Sequence, residues 1–507
     1  MSIRFVHDEE HSLARWNGKG SIYTLSLILS ALIPLTACSA QTTLTPDDND
    51  SAGIISEETS DEYKYHDNLP ELDFQGASYD MLVSDNPGWG DSIHLPEEYN
   101  GEPVNDIKID IARAAEDRFN CAVTETVKPY EFVNDQMVNT IKAGDTTYDV
   151  MYLRDNEGDK FVREGLLLDY EDVPNIDLTS PWWDQKVLAL SSINHHFYYA
   201  CNAYDLTYYD RTHCMVFNKQ MVEDYSLDSP YELVSSGKWT IFTMEELMKD
   251  IRKDVNGDGI FDDQDQWGYL SSSKELLANF WMGAGEQTVK KDSDDLLYYG
   301  LKGNERFISV IMKVFSVMWD EGSWCPSYKD APTDIPAEGI LIFTAGRGLF
   351  MDETIRDLMT LRSADLNFGI LPYPKYEESQ EEYHSRIEAA YKIACVPINN
   401  SDTELTGTLM EALACDACNR LIPAYYDTTL ISKVTRDNES ETMLEVIFGS
   451  LFFDYGDTWW CGDIRDGIFW NLFKNNNSNI VSKIEMIENI VNSNIERTIP
   501  SYSKDGE

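Results

Sequence analysis

The sequence is poor in positive charge. Its 507 residues include 40 Lys and Arg against 89 Asp and Glu, which gives a formal net charge of -49 at pH 7. A surface this acidic repels phosphate backbones, so nucleic acid is not an expected partner. The chain is nevertheless 42% hydrophobic and 12% aromatic, which excludes general disorder. Its length predicts two or three lobes with substantial cores.

The sequence also lacks the short motifs of common enzymes. It contains no GxSxG, no HExxH and no P-loop. His195 and His196 are adjacent, and neighbouring side chains diverge on regular structure, so this pair is a poor metal chelate. Two carboxylates across a cleft would be needed for a glycosidase, but among 89 acidic residues such a pair carries no information. The sequence therefore offers no catalytic motif, which argues against a glycan-degrading enzyme, although that class stays open as an alternative.

The apolar run at residues 21–34 is too short to span a bilayer. Basic residues precede it, and it ends in Leu-Thr-Ala-Cys with Cys38 last. This arrangement is typical of a signal peptide and resembles the bacterial lipobox, in which the cysteine is lipidated. We predict a lipoprotein signal peptide at 1–37, followed by lipidated Cys38 and a flexible acidic tether at 38–75. An ordinary signal peptide with a chance cysteine is the alternative.

Cysteine is sparse and irregularly spaced in the rest of the chain. Most of these residues have apolar neighbours, and a chain of this size needs no disulfides to fold. Buried free thiols are favoured over disulfides, and no second CxxC or histidine pair completes a zinc site around Cys415 and Cys418. The eight residues are Cys121, Cys201, Cys214, Cys325, Cys395, Cys415, Cys418 and Cys461.

Strands alternate with helices after the tether, which predicts an α/β layer with parallel strands. "ASYDMLVSD" and "YDVMYL" have strand patterns, whereas 104–119 and 132–144 have helical ones. Ligands bind beyond the carboxyl ends of such strands. The polar residues at these ends are Asp85, Asn86, Arg154 and Asp155.

The pattern continues through the second half of the chain. Residues 213–225 predict a strand running into a helix, and 243–251 predict a helix capped by Thr243 and Glu246. "ILIFTAGRGLFMDET", residues 340–354, predicts a strand, a tight turn and a strand. Further strands are predicted within 367–375 and 391–399, and residues 404–496 are predicted to be mostly helical.

The segment "DVNGDGIFDDQD", residues 254–265, has the spacing of a calcium loop. Oxygen ligands recur at the required positions, and Gly259 permits the turn at the sixth. The exit "QWGYL" predicts a strand, so we expect a structural Ca²⁺ site; a sensor or a metal-free surface turn is the alternative. The predicted ligands are Asp254, Asn256, Asp258, the Ile260 carbonyl, Asp262 and Asp265.

Several strings, in this order, resemble the extracellular solute-binding proteins of carbohydrate ABC importers, the maltose-binding type. They are "YDVMYLRD" with "REGLLLDY", "MVFNKQMVEDY", "GKWTIFTMEEL", "FTAGRGLFM", "FGILPYPK" and "PAYYD". The resemblance implies a two-lobed periplasmic-binding-protein type II fold with hinge crossovers. It implies lobe one at 76–199 plus 386–425. Lobe two would be 200–385 plus 426–507, with the calcium-like loop and the C-terminal helices.

The resemblance also implies a function. Such a protein captures a carbohydrate, here expected to be an oligosaccharide, in the interlobe cleft and delivers it to permease subunits without catalysis. It would act as a monomer, lipid-anchored at the outer face of a membrane, as in Gram-positive bacteria; a peptide or another solute is the alternative ligand. Aromatic stacking and planar polar groups hold sugars, which adds ligand candidates to the strand-end residues. These are Trp89, Trp182, Trp183, Trp281, Glu353, Tyr425, Trp459 and Trp460.

Overall fold

The structure is a computed structural model that describes most of the chain from residue 63 onward. The described residues are 63–85, 94–271, 275–320, 322–324, 336–361, 364–388, 390–434 and 437–502. The predicted signal peptide, Cys38, and the predicted ligand residues Asn86 and Trp89 lie outside them.

Residues 63–75, the last part of the predicted tether, are packed and not flexible. The Tyr65 N–H donates to the Asn419 side chain at 3.0 Å, and the Phe74 ring lies 6.3 Å from that of Phe119. The prediction failed there because the apolar residues of this stretch cover the core.

The strands form two main sheets and two small ones. Their bounds are β1 Ala77–Asp85, β2 Cys121–Pro129, β3 Val150–Arg154, β4 His213–Asn218, β5 Trp267–Leu270, β6 Val289–Lys291, β7 Leu297–Tyr299, β8 Ser323–Trp324, β9 Gly348–Thr354, β10 Phe368–Leu371, β11 Ser385–Arg386, β12 Lys392–Cys395 and β13 Leu451–Phe452.

The helices surround these sheets. Their bounds are α1 Pro103–Phe119, α2 Tyr130–Phe132, α3 Val138–Lys142, α4 Asp155–Arg163, α5 Gln185–Ser191, α6 Thr207–Asp210, α7 Lys219–Asp224, α8 Pro230–Ser235, α9 Ile241–Met248, α10 Leu276–Gly283, α11 Glu305–Trp319, α12 Pro336–Thr344, α13 Leu358–Leu361, α14 Thr403–Ala424, α15 Asn438–Phe448, α16 Tyr455–Thr458, α17 Asn471–Lys474 and α18 Ile480–Thr498.

The first main sheet has the strand order β12-β3-β1-β2. β1 is parallel to β2 and β3, and β12 is antiparallel to β3, with Lys392 opposite Arg154. Every residue of β3 is buried, as expected for a strand covered on both faces. One edge of this sheet therefore collects the carboxyl ends of three strands and the amino end of β12.

The second main sheet has the order β10-β4-β9-β5-β8. β5 is parallel to β9 and β8, whereas β4 is antiparallel to β9 and β10. His213 at the start of β4 lies opposite Thr354 at the end of β9. The predicted mixed α/β class is confirmed.

Two segments that run between the sheets pair with each other. Ala200 and Ala394 exchange backbone hydrogen bonds of 3.2 and 2.8 Å, and Thr212 bridges Ile387. A later connection follows α14, which packs on α1 and β1, and precedes α15, which packs on β10. The predicted lobe boundaries stay a prediction, but the chain passes between the two sheets along these connections.

The C-terminal helix touches elements near both main sheets. α18 packs against β7 and α4, and the Tyr299 hydroxyl donates to the Ile484 carbonyl at 2.9 Å. At its end, Thr498 Oγ1 donates to Asp159 Oδ1 of α4 at 3.2 Å. These contacts hold the C-terminal segment beside the strand edge of the first sheet.

Most predicted elements are confirmed, with two corrections. Residues 336–344 form a helix, although the apolar run from Ile340 predicted a strand; short apolar runs do not distinguish the two states. The helix before the calcium-like loop is capped by Thr240, whose side chain accepts from the Thr243 N–H, and not by Thr243.

Seven cysteines among the described residues are free thiols; Cys325 lies outside them.

Candidate interlobe ligand site

The end of β3 carries the first part of the site. Trp459 donates its indole N–H to the Asp155 carbonyl at 3.1 Å, so a residue from the C-terminal segment touches the edge of the first sheet. The Trp459 ring packs at steep angles on Tyr199 and Tyr455, with centroid distances of 5.8 and 4.6 Å. The structure thus brings together two of the predicted ligand residues that lie 304 positions apart.

The Asp155 side chain is fully buried beside these rings. Its nearest polar neighbours include Tyr391 and Thr458, yet neither carboxyl oxygen has a hydrogen bond of normal geometry within the described part of the chain. Burial is the main cause that raises the pKa of Asp155 to about 8, and the nearby Asp457 raises it further. Asp155 is therefore a neutral acid at pH 7, able to donate as well as accept.

Arg154 and Lys392 occupy the same strand edge. The Arg154 guanidinium lies over the Tyr130 ring, 4.8 Å from its centroid. Glu157 accepts from the Arg154 N–H at 3.1 Å and from the Ser84 hydroxyl at 3.2 Å, and the Lys392 ammonium donates to the Ser84 carbonyl. Burial lowers the pKa of Lys392 to about 8.

A buried arginine continues the polar region into the second sheet. Arg386 is completely buried and donates through Nε to Asp457 at 2.6 Å and through Nη2 to Glu275 at 2.5 Å. Its Nη1 donates to His213 Nε2 at 2.8 Å, at the start of β4. Burial and the neighbouring arginines hold the pKa of His213 well below its usual range, so the neutral imidazole accepts this bond.

A second arginine closes the network. Arg465 Nη1 donates to Glu275 at 2.5 Å and to Asp457 at 2.9 Å, so both carboxylates bridge two guanidiniums. Asn279 extends the network: its Oδ1 accepts from Arg386, and its Nδ2 donates to the Tyr373 hydroxyl at 2.8 Å. The result is a continuous set of carboxylates, guanidiniums, an amide and phenols between the two strand edges. Arg386 and Asp457 are fully buried and bonded within this network, whereas the Trp459 indole beside it is half-buried and can stack on apolar C–H faces.

Other predicted aromatic residues lie in packed surroundings. Trp183 is fully buried and its indole donates to Glu411 at 2.9 Å; Trp182 is also buried. Trp281 is fully buried, and its indole donates to Asp454 at 3.2 Å. Tyr425 is buried and donates to Asp210 at 2.6 Å. Internal partners thus satisfy the polar atoms of three of these residues, and ligand contact at them stays a prediction.

The remaining predicted ligand residues are near strand ends or α16. Asp85 ends β1, and Trp460 follows Trp459 and is buried. Glu353 lies near the end of β9 opposite Cys214, and burial raises the pKa of its carboxyl well above the ordinary value, helped by Asp357 and Asp352.

The calcium-like loop folds back on its own backbone. Lys253 bridges Gln266 across its base, and Gly257 and Gly259 adopt positive φ values of 76° and 78°. Asp254 accepts from both glycine N–H groups, at 2.6 and 2.9 Å. Asp265 is fully buried and accepts from two loop N–H groups. The turns and residue types fit a calcium loop. Among the described residues, the carboxylate and imidazole ligand atoms that come within 4.8 Å of one another belong to Asp169, Glu171 and His196, outside this loop. Calcium at 254–265 therefore stays a prediction.

Sequence reasoning missed the arginine network. Arg386, Glu275 and Asp457 have no local pattern, because their contacts join positions 71 and 111 residues apart. One feature of the sequence could have indicated the network: Arg386 is a charged residue at the predicted lobe boundary. His213 is buried at the start of β4 and accepts from Arg386, which agrees with a positioning role.

The described helices are all too short or too polar to cross a membrane. No protein-family profile matches the sequence, and no curated protein matches it.

Solved structures, in contrast, match over most of the chain. UspC of M. tuberculosis aligns with 13% identity and a TM-score of 0.56, over 82% of this chain and 100% of that one. A cyclic α-maltosyl-1,6-maltose binding protein from Arthrobacter globiformis aligns with 11% identity and a TM-score of 0.56, over 83% and 99%. An ABC substrate-binding protein from Listeria monocytogenes, in complex with cycloalternan, aligns with 12% identity and a TM-score of 0.53, over 83% and 99%.

These matches show the fold. The chain has the two-lobed architecture of the maltose-binding type of solute-binding protein, and the predicted fold class is confirmed. The polar and aromatic network around Asp155, Trp459 and Arg386 lies between its two main sheets, where a ligand cleft is expected in such a fold.

Proposed function

We propose that this protein is an extracellular solute-binding protein that captures a carbohydrate between its lobes and delivers it to the permease of an ABC importer. The observation that carries the proposal is the half-buried Trp459 indole, which contacts Asp155 at the strand edge of the first sheet beside the Arg386 network and supplies a stacking face there. One similar structure is in complex with cycloalternan and another is that of a cyclic α-maltosyl-1,6-maltose binding protein, which supports an oligosaccharide as the ligand. The role is binding without catalysis.

Isothermal titration of the mature chain with linear and cyclic glucose oligosaccharides tests this proposal. Trp459→Ala is expected to weaken the affinity for the bound glycan at least about tenfold, or about 1.4 kcal/mol, because a stacking surface at the strand edge is lost. Trp470→Ala, at a half-buried tryptophan that packs on Phe473, is the matched control and should change affinity less than about twofold.

Two results would redirect the assignment. Binding of peptides with no binding of any glycan would support the alternative ligand class on the same fold. If the purified chain hydrolysed a chromogenic glycoside and Asp155→Asn abolished that hydrolysis, an enzyme would be supported. If the hydrolysis persisted in every cleft variant, a contaminating enzyme would explain it.

We propose a membrane location through lipidation of Cys38, with the acidic residues between Cys38 and the packed segment at 63–75 as the tether. The sequence that supports it is the apolar run followed by Leu-Thr-Ala-Cys. Labelled fatty acid should be incorporated into the full chain and not into Cys38→Ala; equal labelling of both would contradict the anchor. A monomer in solution is expected.

Calcium is proposed as a structural ion of the loop at 254–265. The loop joins α9 to β5 in the second sheet, and Trp267 at its exit donates to the Asp262 carbonyl at 3.0 Å. Removing Ca²⁺ should lower the melting temperature by a few degrees, because an ion bound only by the folded state stabilises it. Glycan affinity should be nearly unchanged, because the loop contributes no contact to the network described above.

Differential scanning calorimetry with and without a calcium chelator measures this effect. Asp254→Asn should melt at the lower temperature and should no longer respond to the chelator. An identical response of wild type and Asp254→Asn would contradict a calcium site in this loop.

A further inference from the structure

A buried histidine joins two carboxylates from different parts of the fold. His94 Nε2 lies 2.7 Å from Asp205 Oδ2, and His94 Nδ1 lies 3.2 Å from Glu125 Oε1. Glu125 belongs to β2 of the first sheet, whereas Asp205 lies just before α6, in the connection toward the second sheet. The three side chains are at most 5% exposed, so their charges interact with one another more than with water.

The hydrogen bonds require a proton on each ring nitrogen of His94. Glu125 also accepts from the backbone N–H groups of His94 and Leu95, at 2.8 and 3.0 Å. Asp205 Oδ1 accepts from the Thr207 N–H at 2.7 Å and from the Thr207 hydroxyl. Such bonds favour the ionised carboxyl, which can only accept. His94 is therefore an imidazolium that donates to a carboxylate on each side.

The neighbouring phenols leave this charge in place. The centroid of the His94 ring lies 4.1 Å from that of Tyr152 and 5.6 Å from that of Tyr204, and burial raises the pKa of both phenols, so they stay neutral. Burial alone would lower the pKa of His94, but hydrogen bonds to Asp205 and Glu125 and the charges of both raise it above the ordinary value of 6.5. His94 in turn lowers the pKa of both carboxyls in spite of their burial.

Asp205 relates His94 to both connections between the sheets. The Thr207 hydroxyl donates its hydrogen to Asp205, and its oxygen accepts from the Lys392 N–H at 2.8 Å. Thr207 begins α6, which follows Ala200 in the first connection, and Lys392 begins β12, which contains Ala394 of the second. A chain of hydrogen bonds thus runs from β2 through His94, Asp205 and Thr207 to the backbone of β12.

We propose that His94 is a pH-sensitive clasp: the imidazolium holds β2 to both connections through Glu125 and Asp205, and the loss of one ring proton as pH rises releases them. A neutral imidazole has one N–H, so one of the two carboxylates then faces a ring lone pair in a buried place.

The direction of the pH effect follows from the raised pKa of His94. A histidine whose pKa is higher in the folded chain contributes stability that is complete below the unfolded value and is lost as pH rises through the folded value. The clasp is therefore closed below the ordinary value of 6.5 and opens at higher pH.

Lys392 titrates in the same range and has to be separated from His94. Burial lowers the pKa of its ammonium to about 8, and the ammonium faces Asp205. The test therefore compares wild type with His94→Gln, in which Lys392 still titrates and position 94 does not. His66→Gln, at an exposed histidine, is the matched control.

Hydrogen–deuterium exchange of the ligand-free mature chain measures the release. In wild type, protection of the Thr207 and Lys392 amides, corrected for the intrinsic rate at each pH, should fall at least about tenfold from about pH 6 to about pH 9, because charge-assisted hydrogen bonds are lost. In His94→Gln the protection should already be low at the lower pH. His66→Gln should follow wild type.

Two measurements keep the test valid if His94→Gln does not fold. Imidazole C–H signals in the NMR spectrum of the wild-type chain, with that of His94 identified by its contact with the Tyr152 ring, should titrate above 6.5. Thr207→Val keeps the His94 contacts but removes the hydroxyl between Asp205 and Lys392. His94 should still titrate above 6.5 in this variant, whereas the Lys392 amide should be poorly protected at both pH values.

Three outcomes overturn the proposal. One is a His94 ring that is neutral at about pH 6, and another is a ring that stays charged to about pH 9, since neither could act as a switch in this range. The third is an equal fall in protection in wild type and His94→Gln, which would assign the change to the Lys392 ammonium. Because none of these measurements uses a ligand, the clasp and the proposed carbohydrate binding can fail separately.

Discussion

Replacing Arg386 by methionine is expected to lower the free energy of unfolding by about 3–5 kcal/mol, because it leaves the buried Asp457 carboxylate and the neighbouring Glu275 carboxylate with only Arg465 of their two guanidinium partners. Arg386 is fully buried, and so is Asp457, one of its two carboxylate partners. Methionine keeps much of the side-chain volume, so the loss reports the charge and hydrogen bonds more than a cavity. Urea unfolding followed by tryptophan fluorescence measures it.

The control has to remove a positive charge as well, since the chain carries a net charge of -49 and any such loss increases self-repulsion. Lys302→Met meets this need: Lys302 pairs with Glu488 on the surface, and its side chain is 66% exposed. Surface pairs contribute about 0–1 kcal/mol, so this variant should be close to wild type. Equal destabilisation by both variants would mean that Arg386 acts through net charge alone.

A double variant separates the two carboxylate partners. If the Asp457 charge, which then has Arg465 alone as its guanidinium partner, is the main cost in Arg386→Met, adding Asp457→Asn should recover part of the lost stability, because the remaining group is neutral. If the loss of unfolding free energy in the double variant equals the sum of the losses in the two single variants, the bond between Arg386 and Asp457 is not the main source of the destabilisation.

The sequence predicted the frame of the molecule because its elements have local signatures. β4 passes directly into α7, as the apolar run of 213–218 and the following amphipathic residues indicated. β3 was predicted because its residues are apolar on both faces, and it is buried on both. The helix at 336–344 was missed because four consecutive apolar residues fit either a buried strand or a buried helix, and only the packing around them decides.

The candidate site was only half predictable for a related reason. Asp155 could be proposed because the carboxyl end of a parallel strand is a position with known geometry. Trp459 could be proposed from its chemistry, but its contact with Asp155 depends on how the C-terminal segment returns to the first sheet. The partners of Arg386 come from three separate parts of the chain, so no window of sequence contains their relation.

Asp155→Asn is expected to remove a pH dependence of stability that the wild-type chain has. Burial raises the pKa of this carboxyl from its ordinary value of 3.8 to about 8. Between these values the folded state holds a proton that the unfolded chain has released, so wild-type stability falls as pH rises from about 4 to about 8. At 1.36 kcal/mol for each pKa unit, the fall attributable to Asp155 is at most about 6 kcal/mol.

The difference in unfolding free energy between wild type and Asp155→Asn, measured at each pH, isolates the contribution of the Asp155 carboxyl. Buried Asp352 and Asp454, whose pKa values burial raises to about 6, titrate in both proteins and cancel. Wild type and Asp155→Asn should therefore be similarly stable near pH 4, and the variant should be more stable near pH 8. Asp463→Asn removes an exposed carboxylate in the C-terminal segment, and its stability should vary with pH in parallel with that of wild type. Parallel curves for Asp155→Asn and wild type would show that Asp155 is charged in the fold.

The same proton connects stability to ligand binding. If a carbohydrate places hydroxyl donors on Asp155, the bound state favours the carboxylate, because hydrogen bonds to the charged form lower the pKa. Binding at pH 7 should then release a proton, and the calorimetric enthalpy should vary with the ionisation enthalpy of the buffer. Asp155→Asn should bind with an enthalpy that is independent of the buffer. A buffer-independent enthalpy in the wild-type chain, with tight glycan binding retained, would place the ligand away from Asp155 while leaving the binding function intact.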